Sequence, residues 1–231
     1  MGEAIRPNEQ TATGALGAKA PTCAGEPKAA RPYIVDLDPD ARLDLEASMK
    51  KGVTVVAYDC SSLKVLSACS LPDSAYEYAG TSRKEQVVQM NSVDELHANL
   101  PISSAKLGAE VQSGRSIDLG LVWIGRRATT LAKVTKDDLK GSCDGATHYV
   151  QNAILGAFSM TTGSVGKAAV VAEVFNYGGG AKSESDRKAM NKDGSISECQ
   201  KSEPDSEAPP SECRAPLRVE LARGHRTHQR Q

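Results

Sequence analysis

Aromatic residues are scarce in this chain: one Trp, two Phe and six Tyr make up 4% of 231 residues. With a hydrophobic share of 39%, any core must be filled chiefly by Val, Leu, Ile and Ala. An excess of charge is missing too. Lys plus Arg number 28 and Asp plus Glu 29, for a net charge of −1. No overall field draws in nucleic acid or an anionic membrane surface, and either partner would need a local patch. No apolar run nears the roughly 20 residues of a membrane helix, so no helical span is expected. Residues 1–22, MGEAIRPNEQTATGALGAKAPT, hold no apolar h-region, and no signal peptide is visible in them. Neither C-x-x-C nor H-x-x-x-H occurs, which removes the usual zinc spacings.

Against these absences stand six cysteines: Cys23, Cys60, Cys69, Cys143, Cys199 and Cys213. An even number set among polar turn residues reads as a disulfide framework formed in an oxidising compartment. Loop length favours Cys60–Cys69 across a hairpin and Cys199–Cys213 across the Pro-rich stretch 200–212, which leaves Cys23 for Cys143. Six cysteines allow fifteen pairings, so spacing alone does not fix this one. The competing state is six reduced thiols. Cysteine usage favours export, and a gene start placed downstream of the true one would reconcile export with the missing h-region.

Residues 1–30, rich in Gly, Ala, Thr and Pro, read as a disordered arm. Tyr33 to Leu37 is a strand candidate. Asp38 as N-cap, Pro39 at the first helical position, the stripe Ala41-Leu45-Met49 and the stop Lys50-Lys51-Gly52 then define a helix. Val53 to Tyr58 and Leu63 to Cys69 predict a hairpin, and Tyr76 to Ala79 and Glu85 to Met90 two strands around a turn. Ser92-Val93-Asp94-Glu95 is a capping box for a short helix ending before Pro101. Two longer hairpins follow: Ala105 to Gln112 with Ser116 to Gly125, and Ala146 to Met160 with Val165 to Phe175 around 161–164. Between them Thr135 caps one helical turn. Residues 176–215 are a long polar excursion, Leu217 to Leu221 a last strand, and 223–231 a disordered basic tail. The sum is one α+β domain over 31–222. It is a mainly antiparallel, curved β-sheet with one or two short packed helices, stapled by disulfides.

Chemistry is harder to find. Gly163-Ser164-Val165-Gly166-Lys167-Ala168 and Tyr177-Gly178-Gly179-Gly180-Ala181-Lys182-Ser183 imitate phosphate loops. The first lacks the leading Gly (Thr161) and the Mg²⁺-binding hydroxyl (Ala168), the second both glycines (Asn176, Ala181), so both read as turns. Cys143-Asp144-Gly145-Ala146-Thr147-His148 sets a thiol near an imidazole, the parts of a nucleophile pair. A five-residue offset in a loop does not fix their geometry, and the expectation is Cys143 in a disulfide and His148 on a strand. His97 reads as surface, His225 and His228 as tail. Asp36, Asp38, Asp40 and Asp44 lack the Gly and Glu of a calcium loop. No metal, cofactor or catalytic residue is expected. The hairpin 146–175 is low in charge, as in membrane-inserting hairpins, but Gln151 and Asn152 spoil the apolar alternation that a lipid face needs.

Three stretches carry a resemblance: Arg31-Pro32 through the helix to Val53-Thr54-Val55-Val56-Ala57-Tyr58-Asp59-Cys60, then Asn99-Leu100-Pro101, then Cys143 to His148. Over about residues 30–221 the chain resembles a myxobacterial protein family of secreted or lipoprotein type to which no activity is attached. The resemblance implies an envelope or extracellular location. This sequence departs from the pattern in lacking a signal segment and in carrying Arg223 to Gln231. The expected function is that of an exported, non-enzymatic envelope protein, binding or structural, with another envelope protein or an envelope component as its candidate partner and no nucleic acid. A Cys–His hydrolase or transferase using Cys143 and His148 is the alternative, and an oligomerising membrane-active hairpin at 146–175 the weaker one.

Overall fold

The computed structural model describes residues 29–59, 62–131, 133–164 and 188–224. In chain order its strands are β1 (Ala29–Ala30), β2 (Val55–Tyr58), β3 (Leu63–Val65), β4 (Cys69–Ser70), β5 (Tyr76–Met90), β6 (Arg115–Thr129), β7 (Lys140–Gly141), β8 (His148–Ser164), β9 (Lys188–Asp193) and β10 (Ala215–Arg223). The α-helices are α1 (Pro39–Lys51), α2 (Val93–Asn99) and α3 (Ser104–Gln112). The fold is α+β, an open and mainly antiparallel sheet with helices packed on it.

Strand β8 organises the sheet. One of its edges pairs with β2 at His148 and Tyr149, then with β6 from Asn152 to Ser164. The other pairs with β10 from His148 to Gly156, then with β9 from Phe158 to Thr162. Beyond these lie β3, β5 and β1 on β2, β6 and β10. Every ladder is antiparallel, and β4 with β7 forms a separate two-stranded ribbon.

Side chains alternate along β8, so Phe158 and Met160 face one side and Ala153, Leu155 and Ala157 the other. On the first face Phe158 and Met160 join Leu119 and Leu121 under Leu96 and Leu100 of α2 and Leu107 and Val111 of α3. On the second face Leu45 and Met49 of α1 pack with Val150, Leu155, Val219 and Leu221. The same face carries Val122, Ile124 and Ala157 under Cys199 and Cys213. The 3₁₀ turn Ile34–Asp36 stitches the clusters together, because Tyr33 and Val35 enter the first and Ile34 and Leu37 the second. Its Asp36 is buried. The carboxylate accepts the N–H groups of Ile102 and Ser103, both at 2.8 Å, and the Ser103 hydroxyl. These bonds fix the entry to α3.

The helix at 39–51 forms as the sequence indicates, with Pro39 in its first turn and Lys50 and Lys51 in its last. Asp38 occupies the N-cap position, but its carboxylate pairs with Lys106 of α3 at 2.7 Å and caps nothing. The hairpin of β2 and β3, the Ser92 cap, the Thr135 capping box and the last strand also form.

Five readings change. Tyr33 to Leu37 is one bridge and a 3₁₀ turn, because all five residues are buried and a strand would turn alternate ones outward. Tyr76 to Met90 is a single strand. The polar run Thr81-Ser82-Arg83 is a register shift between Gly80 and Lys84 against a continuous β6, and not a turn. Ala105 to Gln112 lies in helix α3, where Leu107 and Val111, four apart, make one buried stripe. Residues 161–164 continue β8 against β6, so no turn stands there, and 165–175 lie outside the described residues. The polar excursion contributes strand β9, hidden in the sequence because its residues are mostly polar. The arm to residue 28, the tail from 225 and both imitation phosphate loops beyond Ser164 fall outside the described residues.

Gly156 is the tightest point of the sheet, since a Cβ there would be driven into the carbonyl oxygen of Val122. Gly156→Ala should therefore cost at least about 3 kcal/mol, the upper part of the overpacking range, read as a lower urea midpoint at unchanged m-value. Asp36→Ala should cost about 2–3 kcal/mol by stranding the donors of Ile102 and Ser103. Burial holds the Asp36 carboxyl above the ordinary 3.8, outweighing the hydrogen bonds that lower it. The folded state then binds the proton more tightly, so the Asp36 contribution falls as pH rises from 3.8 through the native value. Urea titrations across that window should show this slope in the native protein and not in Asp36→Ala.

Candidate functional site

Four of the six cysteines lie among the described residues. Cys199 and Cys213 are bonded as loop length predicted, with Cα atoms 5.1 Å apart. Cys69 is bonded to Cys143, Cα to Cα 4.8 Å and 74 residues apart. That corrects both expected pairings, Cys60–Cys69 and Cys23–Cys143. The cause is sheet register: Cys69 of β4 pairs with Gly141 of β7, which carries Cys143, two residues on, up to it. Cys23 and Cys60 lie outside the described residues.

The suspected nucleophile pair is accordingly engaged elsewhere. The sulfur of Cys143 is bonded to Cys69, and His148 is buried on β8 with Nδ1 2.9 Å from the Thr147 hydroxyl and its ring edge-on to Tyr58. His97 is exposed on α2 beside Ser104. Asp36 turns inward to Ile102 and Ser103 while Asp38, Asp40 and Asp44 are exposed. No group of three His, Cys, Asp or Glu side chains that could hold a metal exists among the described residues. No helix among them is long and apolar enough to cross a membrane.

Two concave surfaces among the described residues have volumes of a few hundred Å³. A cleft of about 450 Å³ lies on the second sheet face between the end of α1 and the loop closed by Cys199–Cys213. Tyr76, Tyr78 and Arg127 line it from the sheet, Lys50 and Lys51 from α1, and Glu207 to Pro209 from the loop. The Tyr76 hydroxyl donates to the Val150 carbonyl at 2.8 Å and accepts the Thr54 N–H at 3.0 Å. Burial pushes its pKa up to about 12, so the phenol stays neutral. Burial also raises Tyr78, against the pull of the Arg127 guanidinium. The cleft thus offers cations, neutral phenols and one carboxylate, Glu207, a combination suited to holding an anionic or amphipathic ligand.

The second surface is a groove of about 250 Å³ on the first sheet face, where α2 and α3 leave the sheet uncovered. Arg126 of β6 and Arg218 of β10 both stand opposite Ile154 of β8, so they flank it on neighbouring strands. Arg218 Nε donates to the Arg31 carbonyl at 3.3 Å, and its guanidinium carbon lies 4.9 Å from the centre of the Tyr33 ring. Glu220 accepts from Arg31 at 2.8 Å and from Asn152 at 3.0 Å. Burial would raise the Glu220 carboxyl, but those bonds and the charges of Arg31 and Arg218 outweigh it and hold the group below its usual range. Arg126 is exposed and makes no ion pair or hydrogen bond among the described residues.

Sequence reasoning missed this groove. Its only local signal was Arg126-Arg127 at the end of a predicted strand, which sends one arginine to each face. No protein-family model matches the chain, and no protein of curated function does.

The Cys199–Cys213 crosslink holds the outer wall of the cleft. By loop-closure entropy across 14 residues, its removal as Cys199→Ser with Cys213→Ser should cost about 3 kcal/mol. Amide exchange at 203–210 should quicken more than exchange in β8, because the wall is freed while the sheet ladder stays closed.

Proposed function

We propose that this protein is an exported, non-enzymatic component of the cell envelope, binding or structural, that presents the cleft between α1 and the cysteine-closed loop to an envelope partner. The observation that carries the reading is the pair of crosslinks, Cys69–Cys143 and Cys199–Cys213. Such bonds persist in oxidising compartments and are reduced in a mesophilic cytosol. The resemblance to a myxobacterial family of secreted or lipoprotein type points the same way. So does the chemistry of the cleft, which sets the half-buried, neutral Tyr76 beside Lys50, Lys51 and Arg127.

A thiol hydrolase or transferase would need a free thiolate at Cys143, so one experiment separates the two readings. Protein made in an oxidising host compartment and in a cytosol is alkylated under denaturing conditions, with and without reduction, then weighed intact and peptide-mapped. The expected result from the oxidising preparation is no alkylation at Cys69, Cys143, Cys199 or Cys213 before reduction, with linked peptides joining 69 to 143 and 199 to 213. Folded, stable protein with these four thiols free in both preparations would remove the support for export and return Cys143 as a nucleophile.

A further inference from the structure

The groove on the opposite face supports a second conclusion, independent of the cleft and of export. It opens where the sheet carries no helix, and its floor is Ile154 on β8 between the two flanking arginines. Neighbouring strands lie about 4.8 Å apart, so the backbones of Arg126 and Arg218 stand about 10 Å apart across Ile154, within reach of a common point for two long side chains. Arg218 is already held by the Tyr33 ring and the Arg31 carbonyl, and so loses little freedom on binding. The third arginine, Arg31, is bound to Glu220, the only carboxylate in the lining, and Asn152 also donates to that carboxylate. The acid is thereby engaged within the groove, which leaves the Arg126 guanidinium and the Arg218 N–H groups beyond Nε without a hydrogen bond among the described residues.

From this juxtaposition we propose that Arg126 and Arg218, converging across Ile154, form a site for a phosphate group, each arginine donating to separate oxygens of one tetrahedral anion. Arginine presents parallel N–H donors that match two oxygens of a phosphate at once. A carboxylate has two oxygens and satisfies a single arginine in this way, whereas a phosphate has oxygens enough for both. The phosphate can be free inorganic phosphate or the phosphomonoester headgroup of phosphatidic acid, which keeps three terminal oxygens, and the chemistry of the site is the same.

The full chain is titrated with inorganic phosphate at millimolar concentration and, separately, with acetate, following backbone and arginine Nε–H resonances by NMR. Sedimentation with vesicles of phosphatidylcholine containing phosphatidic acid, and of phosphatidylcholine alone, forms the second arm. Phosphate should move the resonances of Arg126, Ile154 and Arg218, and acetate should bind at least about tenfold more weakly. Arg126→Gln should weaken phosphate binding about tenfold, and Arg126→Gln with Arg218→Gln should abolish it. Lys201→Gln, which removes an exposed charge paired with Glu198 among the described residues, should change nothing. Arg126 is exposed, so its single variant folds even where loss of Arg218 from the Tyr33 ring lowers stability. Binding to phosphatidic acid vesicles alone, lost in Arg126→Gln, would assign the phosphate to a lipid headgroup and uphold the site. Absence of binding in both arms, phosphate binding indifferent to Arg126→Gln, or acetate binding as tightly as phosphate would overturn the proposal. None of these outcomes bears on the disulfide test above.

Discussion

Strand β8 is hydrogen-bonded along both edges to four other strands, and the arrangement of the molecule follows from that. A strand so enclosed has its backbone groups satisfied in the ladder, so what remains to be decided is which residue faces which side. Register shifts decide it. Ile124 is an extra residue in β6 between Trp123 and Gly125, and the shift between Glu220 and Leu221 sets Val150 on the same face as Ala153. Without the first, the alternation of β6 would be reversed beyond it. Arg127 would then fall in the groove and Arg126 in the cleft, with the tyrosines of β5 facing a different neighbour.

Packing on the two faces follows the same logic. Each face needs an apolar cover, and the chain provides three of different kinds. Helices α2 and α3 cover one face, and α1 and the cysteine-closed loop divide the other. The buried guanidinium of Arg42 ties α1 to a residue of the first face as well: its carbon lies 5.0 Å from the centre of the Phe158 ring, and Nη2 is 2.6 Å from Asn191 Oδ1 of β9. The crosslinks fall where hydrophobic burial is least able to hold the chain. A two-residue ribbon such as β4 with β7 is too short to be stable alone, and residues 194–214 are largely polar. The clefts that remain are the places where these covers do not meet.

That is also why both candidate surfaces are cationic in a chain of nearly neutral charge. Lysines at the end of α1 complement the helix dipole, and the arginines on the sheet are exposed only where a cover is missing. The local concentration of positive charge comes from folding, since Arg31, Arg126 and Arg218 are far apart in the chain and meet only through the β1–β10–β8–β6 order of the sheet.

Local elements whose signals are short in range follow from the order of residues alone. Helix α1 was legible from Asp38-Pro39 and the Lys-Lys-Gly stop, α2 from the Ser92 capping box, the hairpin of β2 and β3 from its β-branched run, and Cys199–Cys213 from its small loop. Wherever an outcome depended on a distant partner, local pattern misled. Leu107 and Val111 belong to a helix although they adjoin an alternating strand, Thr81 to Arg83 stay in a strand because β6 runs on beside them, and β9 exists because β8 has an edge to fill. Cys69 meets Cys143 and not Cys60 because two strands distant in sequence bring them into register. The candidate sites belong to this second class. Residue types are written in the chain, but the side of a sheet on which they emerge is set by pairing register, and a shift of one residue moves a side chain to the opposite face.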